Sequence, residues 1–215
     1  MAKKKSAGAR PGYSEEQKAE LERLEGALKA HMEEVKPRRY AHSLSVAQTA
    51  ESLALTYGVD PFEARAAGIL HDWHKVYPAS EQIERARALG MDLGVDLHLV
   101  SNLLHGMLTA RELPERFPEL PVSVWQAIDR HTTAAADMSP LDMVVFVADG
   151  IEPLRKSTPG IEHSRSLVGK ASLDDLFWES FLGGVISVLQ PQRYLYPGTL
   201  DIYNQLALRR SGKEV

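Results

Sequence analysis

The chain contains no cysteine. Disulfides, thiolate metal sites and cysteine nucleophiles are therefore excluded, and any metal must be held by histidine, aspartate or glutamate. No uninterrupted apolar run is long enough to span a bilayer. None follows the basic start Met1-Ala2-Lys3-Lys4-Lys5 either, so that start does not read as a secretory signal. Positive charge is not in excess: Lys and Arg number 25 against 29 Asp and Glu, for a formal net charge of -4 and a pI near 6.1. A general nucleic-acid binder carries a basic stripe, so no nucleic acid is expected as a partner and an anionic ligand must be attracted locally. Convincing alternation of apolar and polar residues is missing too, which argues against β-strands. Together these absences fit a soluble protein of a reducing cytoplasm, with no membrane partner.

The 215 residues are 44% hydrophobic, enough to bury one sizeable core. The reading is a disordered basic tail over 1–13 and a single domain over 14–215. Ser14-Glu15-Glu16-Gln17 forms a capping box, and Leu21, Leu24, Leu28, Met32 and Val35 share one face of the helix it opens, which Pro37 closes. A second helix spans about Arg38 to Tyr57, with His42 extending the stripe of Val46, Ala50 and Leu53. Asp60-Pro61-Phe62-Glu63 starts a third. Its face of Ala64, Ala66, Ala67 and Gly68 allows close approach to a neighbour, and it ends at His71-Asp72. A short helix from Ser80 to Gly90 follows, then a helical stretch from Leu97 to Leu113 interrupted near His105-Gly106. Another runs from about Pro121 to His131. Ser139-Pro140-Leu141-Asp142 starts a helix with Leu141, Val144, Val145, Ala148 and Asp149 on one side. A loop from Pro153 through Pro159-Gly160, a helix capped by Ser172, an extended link at Tyr194 to Pro197 and a last helix capped by Thr199 complete the chain. The fold class is all-α, a bundle of about eight to ten helices.

Several polar residues occupy positions where periodicity requires core. They are His42, His71, Asp72, His131 and Asp149, with His105 at the helix break. A histidine on a core face is more often simply hydrogen-bonded, and an inward aspartate is costly unless paired or bound to metal. Their joint occurrence on separate helices favours a His/Asp metal site. The adjacent His71-Asp72 offers a neutral nitrogen and an anionic oxygen donor to a divalent cation.

These residues carry a family resemblance. The order His42, His71-Asp72, Asp149 resembles the H…HD…D signature of the HD-domain phosphohydrolase superfamily. More narrowly, the chain is similar to the YqeK family of symmetrical diadenosine tetraphosphate hydrolases. The matching pieces run in order from about Lys36 to Asn204: Arg39 to His42, His71-Asp72 with Lys75, and Leu104-His105-Gly106. They continue with Ala127-Ile128 and His131-Thr132, Met138-Ser139 with Leu141-Asp142, and Val147-Ala148-Asp149 leading to Ile151-Glu152-Pro153 and Arg155.

The resemblance implies a metal-dependent hydrolase that splits diadenosine tetraphosphate into two ADP. It implies an iron site at His42, His71, Asp72 and Asp149, with manganese, cobalt or magnesium as alternatives. It also implies a nucleoside diphosphate bound near Arg39, His42, Lys75, His105, His131, Thr132 and Arg155, and near the segment Gln192, Arg193, Tyr194, Leu195, Tyr196 and Pro197. Each of Arg39, Lys75 and Arg155 alone reads as a surface ion pair, but beside ligand residues in an acidic chain they suit a polyphosphate. The metal would polarise a phosphoryl oxygen and activate a water that Asp72 orients, with Lys75 offsetting developing charge. His105 and His131 read either as ligands of a second metal or as phosphate contacts. No glutamate stands at an obvious further ligand position, so one tightly bound metal is expected.

Two places depart from the family pattern. Trp73-His74 stands where the family carries an aromatic or aliphatic residue and then a small one, and His74 is expected to be exposed or peripheral. Gly198 and Tyr203-Asn204 replace an acid and an arginine-asparagine pair after Tyr196-Pro197. His31, His98 and His163 fit no motif. Alternative functions are hydrolysis of nucleotides or deoxynucleotides, and a poorly catalytic regulator that binds metal and nucleotide. A cyclic dinucleotide phosphodiesterase is disfavoured because no GYP companion motif is present. A homodimer is left open.

Overall fold

The computed structural model describes residues 11–212, which contain ten α-helices and no β-strand. In order these are α1 (Glu15–Met32), α2 (Pro37–Tyr57), α3 (Pro61–Leu70), α4 (Ala79–Ala88) and α5 (Leu104–Glu112). The remainder are α6 (Val122–Arg130), α7 (Pro140–Ile151), α8 (Pro159–Leu167), α9 (Leu173–Leu189) and α10 (Pro197–Arg210). Short 3-10 turns occupy Trp73–Val76 and Ser101–Leu103. Among the described residues no helix is long and apolar enough to cross a membrane.

Helix starts fall where side chains can satisfy the free amides of a first turn. Ser14 and Gln17 close a reciprocal capping box, as do Ser139 and Asp142. Asp60 accepts from the amides of Phe62 and Glu63, and Ser172 from that of Asp175. Capping at Asp60 and Ser139 fixes where α3 and α7 begin, and hence where His71 and Asp149 fall along them.

The small face of α3 lies directly on α2. A Cβ on Gly68 would stand 2.5 Å from Ala47 Cα, so the helices meet backbone to backbone. α2 also packs on α7, and α3 on α1, α6 and α7. The elements that carry His42, His71 and Asp149 therefore share one core, with Val46, Ala67, Ile69, Val144 and Ala148 fully buried among them. A smaller cluster of Ile83, Ala86, Leu97, Val100, Leu104 and Leu108 supports α4 and α5.

Several elements differ from expectation. The break expected at His105-Gly106 lies earlier, over residues 97–103, and both residues are inside α5. Gly106 is needed for closeness rather than for a break, since a Cβ there would be 2.7 Å from His131 Cε1 and from Ile128 O. α8 occupies part of an expected loop: Thr158 caps it and Pro159 takes its first position, so the Pro159-Gly160 turn signal marks a helix start. α10 begins at Pro197 rather than after Thr199, and α1 ends at Met32, leaving Val35 exposed. Residues 1–10 of the expected tail lie outside the described residues. Tyr13 does not behave as tail: its hydroxyl donates to Glu51 and to Pro61 O, and its ring meets Phe62 edge-on.

Candidate metal and phosphate centre

His42 comes from the second turn of α2, His71 caps the end of α3, Asp72 follows it, and Asp149 lies near the end of α7. Their donor atoms form a ring. His42 Nε2 is 3.7 Å from Asp72 Oδ2 and 3.0 Å from Asp149 Oδ1, while His71 Nε2 is 3.8 Å and 3.7 Å from the same two oxygens. Donors about 2.1 Å from one ion stand roughly 3.0 Å apart at right angles and about 3.4 Å apart in a tetrahedron. The ring is close to that size. Neither His42 Nε2 nor His71 Nε2 has a hydrogen-bond partner, although both are buried. Buried nitrogens without partners are rare and call for an occupant, and a divalent cation among two imidazoles and two carboxylates answers it.

A second set shares Asp72. Its Oδ1 is 3.1 Å from His105 Nε2, which is 3.0 Å from His131 Nε2. His105 Nδ1 donates to Asn102 O at 3.0 Å and His131 Nδ1 to Ile128 O at 2.6 Å. A carbonyl only accepts, so in the neutral rings both Nε2 atoms carry lone pairs, and these face each other. Two facing lone pairs repel unless a cation lies between them.

Electrostatics keep His71, His105, His131 and both aspartates in their ligating states, while His42 is pushed the other way. Burial lowers His71 and drives His105 and His131 down to about 4, so all three are neutral at physiological pH. Burial would raise Asp72, but His71, His105 and His131 hold it well below its ordinary value. Asp149 is likewise depressed against burial, by His42 and Arg155. Burial would lower His42, but Asp149, Glu152 and Asp72 outweigh it and raise the ring.

The three expected cations converge on this cluster. Arg39 Nη1 donates to Asp72 Oδ2 at 2.9 Å, and Arg155 donates to Asp149 through Nη2 to Oδ1 at 2.5 Å and Nε to the carbonyl at 2.9 Å. Lys75 Nζ reaches Asn102 O at 3.3 Å, and burial draws its ammonium below the ordinary value. A cavity of about 140 Å³ lies where Tyr194, Leu195 and Tyr196 meet Thr132, Phe181 and Val185. Asn102 lines the same cavity, and its carbonyl holds His105 and Lys75. The rest of the expected ligand segment turns away: Arg193 Nη2 donates to Ser187 O, Gln192 is exposed at φ 55, and Pro197 opens α10.

His74 is not exposed, as the sequence suggested; it is buried between Thr109 Oγ1 and Glu112 Oε2, each at 2.9 Å. It does stand apart from the ligand groups. His31, for which no motif was found, stacks on Trp73 with ring centroids 4.0 Å apart. Sequence reasoning assigned Glu152 no role, yet its carboxylate accepts from His42 Nδ1 at 2.9 Å. The available signal was an acid one helical turn beyond Asp149, immediately before Pro153.

Residues 39–154 match the HD domain family. The chain is 34% identical over 185 residues, covering 85% of it and 95% of the relative, to a protein of Halalkalibacterium halodurans named symmetrical bis(5'-nucleosyl)-tetraphosphatase. A Staphylococcus aureus protein of the same name is also 34% identical, with 84% of this chain and 93% of that one covered. Among solved structures, a Clostridium acetobutylicum protein described as a "predicted HD superfamily hydrolase involved in NAD metabolism" superposes with a TM-score of 0.77 at 31% identity. That match covers 87% of this chain and 97% of the other.

Proposed function

The chain belongs to the HD-domain family, and we propose from that premise that it is a metal-dependent phosphohydrolase cleaving dinucleoside tetraphosphates symmetrically, diadenosine tetraphosphate to two ADP. The observation that carries this reading is the convergence of four metal-type donors with Arg39, Lys75 and Arg155. The names of the two tetraphosphatase relatives supply the substrate class.

His42, His71, Asp72 and Asp149 would hold one divalent ion, for which iron is our choice; Asp72, His105 and His131 offer a position for a second cation. Such an ion supplies Lewis acidity toward a phosphoryl oxygen and lowers the pKa of a water. Asp72 presents one oxygen to each donor set and so fixes their spacing. Arg39 and Arg155, each holding a ligand carboxylate, keep two cationic forks at the rim where phosphate oxygens gather. Lys75 adds a point charge from the other side. Tyr194, Leu195, Tyr196 and Thr132 would enclose the nucleoside, and with two phosphates between nucleoside and centre the bond presented lies between the second and third phosphates. One water is consumed, that P–O–P bond breaks, and each half leaves as a nucleoside diphosphate.

The test is to purify the protein without oxygen, measure metal per chain, and incubate it with diadenosine tetraphosphate while resolving ADP from AMP plus ATP. Bound metal and ADP alone are expected, and His71→Ala should lose both metal and at least about 100-fold in activity, more than loss of a supporting residue usually costs. AMP plus ATP as products would overturn the symmetrical assignment.

A further inference from the structure

The histidines of the centre are all held by Nδ1, but not in the same way. His71, His105 and His131 each donate to a backbone carbonyl three residues earlier: Gly68 O at 2.8 Å, Asn102 O at 3.0 Å and Ile128 O at 2.6 Å. These anchors follow from local helix geometry, and no side chain sets them. His42 differs. It lies inside α2, and its Nδ1 meets a carboxylate 110 residues away, Glu152 Oε1, at 2.9 Å.

Glu152 is only 1% exposed. Its other oxygen accepts the Leu154 amide at 2.6 Å, and its own backbone carbonyl accepts Arg165 Nη2 at 2.7 Å. Arg165 Nε also holds Ile151 O at 2.9 Å, so the end of α7 is clamped beneath the carboxylate. Among the described residues the side chain has one ion-pair partner, His42. A buried carboxylate is costly, and the charge of this one is compensated locally by the Leu154 amide and across the fold by one imidazole, that of His42.

We infer that Glu152 is the positioning residue of the metal centre: it fixes His42 with Nδ1 protonated and Nε2 aimed at Asp72 and Asp149, and its charge strengthens Nε2 as a donor. A carboxylate behind a ligating imidazole sets ring orientation and raises basicity, which a neutral carbonyl does less. His42 is thereby the ligand whose donor strength depends on a residue outside its own helix. Because Asp149 lies in the last turn of α7 and Glu152 is its C-cap, the same helix end sets one ligand directly and a second through hydrogen bonding.

This inference rests on the metal-dependent reading, and its test separates the two. Metal-free parent, Glu152→Gln, Glu152→Ala and, as control, Glu112→Gln are titrated with cobalt(II) against a competing chelator, following the visible ligand-field bands. Thermal stability of each metal-free protein is recorded in parallel. Glu152→Ala should weaken cobalt binding about 10- to 100-fold and alter the bands. Glu152→Gln keeps an acceptor for Nδ1 but loses the charge, and should fall in between. The control should match the parent. Unchanged affinity and bands in a folded Glu152→Ala would overturn the inference; should that variant not fold, parent-like affinity and bands in Glu152→Gln would overturn it. A parent that binds no cobalt would instead overturn the metal-dependent reading itself.

Discussion

At Gly106 one absent methyl group decides how close two histidine-bearing helices come. A Cβ would stand 2.7 Å from His131 Cε1 and from Ile128 O, so both the ring and the helix end would have to move. Gly106→Ala should therefore cost about 1–3 kcal/mol and displace His131 from His105. We expect a lower melting temperature together with reduced activity, measured by thermal melts and by ADP release. Parent-like values in both would mean that His131 moves aside without consequence. Single residues were legible to different depths. His42, His71, Asp72 and Asp149 declared themselves because a polar group on an apolar stripe is expensive and periodicity exposes it. Glu152 and His74 did not, because their partners, His42 and the pair Thr109 and Glu112, lie across the fold.

Among the elements, α3 bears the strictest geometry. Its small residues press against α2, and Gly68 leaves no room for a methyl beside Ala47 Cα and Ala47 N. Those atoms belong to backbone, so nothing can rotate away. Gly68→Ala should push α2 from α3 and separate His42 from His71, lowering both stability and metal affinity. Asp60→Ala acts on the same helix differently, removing a cap worth about 1 kcal/mol. Its melting temperature should fall by roughly 2–4 °C for a domain of this size, with metal affinity kept. Calorimetry and metal titration of both variants separate the effects, and equal loss of metal affinity in the two would refute the distinction. Caps at Ser14, Asp60, Ser139 and Ser172 were readable because they act within three residues. α8 was not, because Pro159-Gly160 signals a turn and a helix start with the same letters.

For the whole molecule, the cluster predicts how stability responds to acid. In the metal-free protein His71, His105 and His131 are held neutral by burial, the last two down to about 4. An unfolded chain takes up those protons near pH 6.5. As pH falls from about 6.5 to about 4 the unfolded state binds more protons, so these groups lose stability over that window. His42 has the opposite sign: its raised value stabilises fully below about pH 6.5 and is lost as pH climbs through the folded value. Asp72 and Asp149, both depressed, lose their contributions only below about pH 4. Three histidines outweigh one. The melting temperature in chelator should drop between pH 7 and pH 5, and a flat or rising trend would contradict this account.

The sequence by itself determined an all-helical chain, the starts of its main helices and four polar residues at core positions, His42, His71, Asp72 and Asp149, that the fold brings together. Each depends on short-range rules, in which capping acts over one turn and burial repeats every three to four residues. Tertiary structure alone decided that the two oxygens of Asp72 face different donor sets, that His105 Nε2 and His131 Nε2 confront each other 3.0 Å apart, and that Glu152 stands behind His42. These depend on how α2, α3, α5, α6 and α7 pack, and that packing is set by backbone contact at Gly68 and Gly106. No local pattern encodes the distance between two helices that meet only after folding.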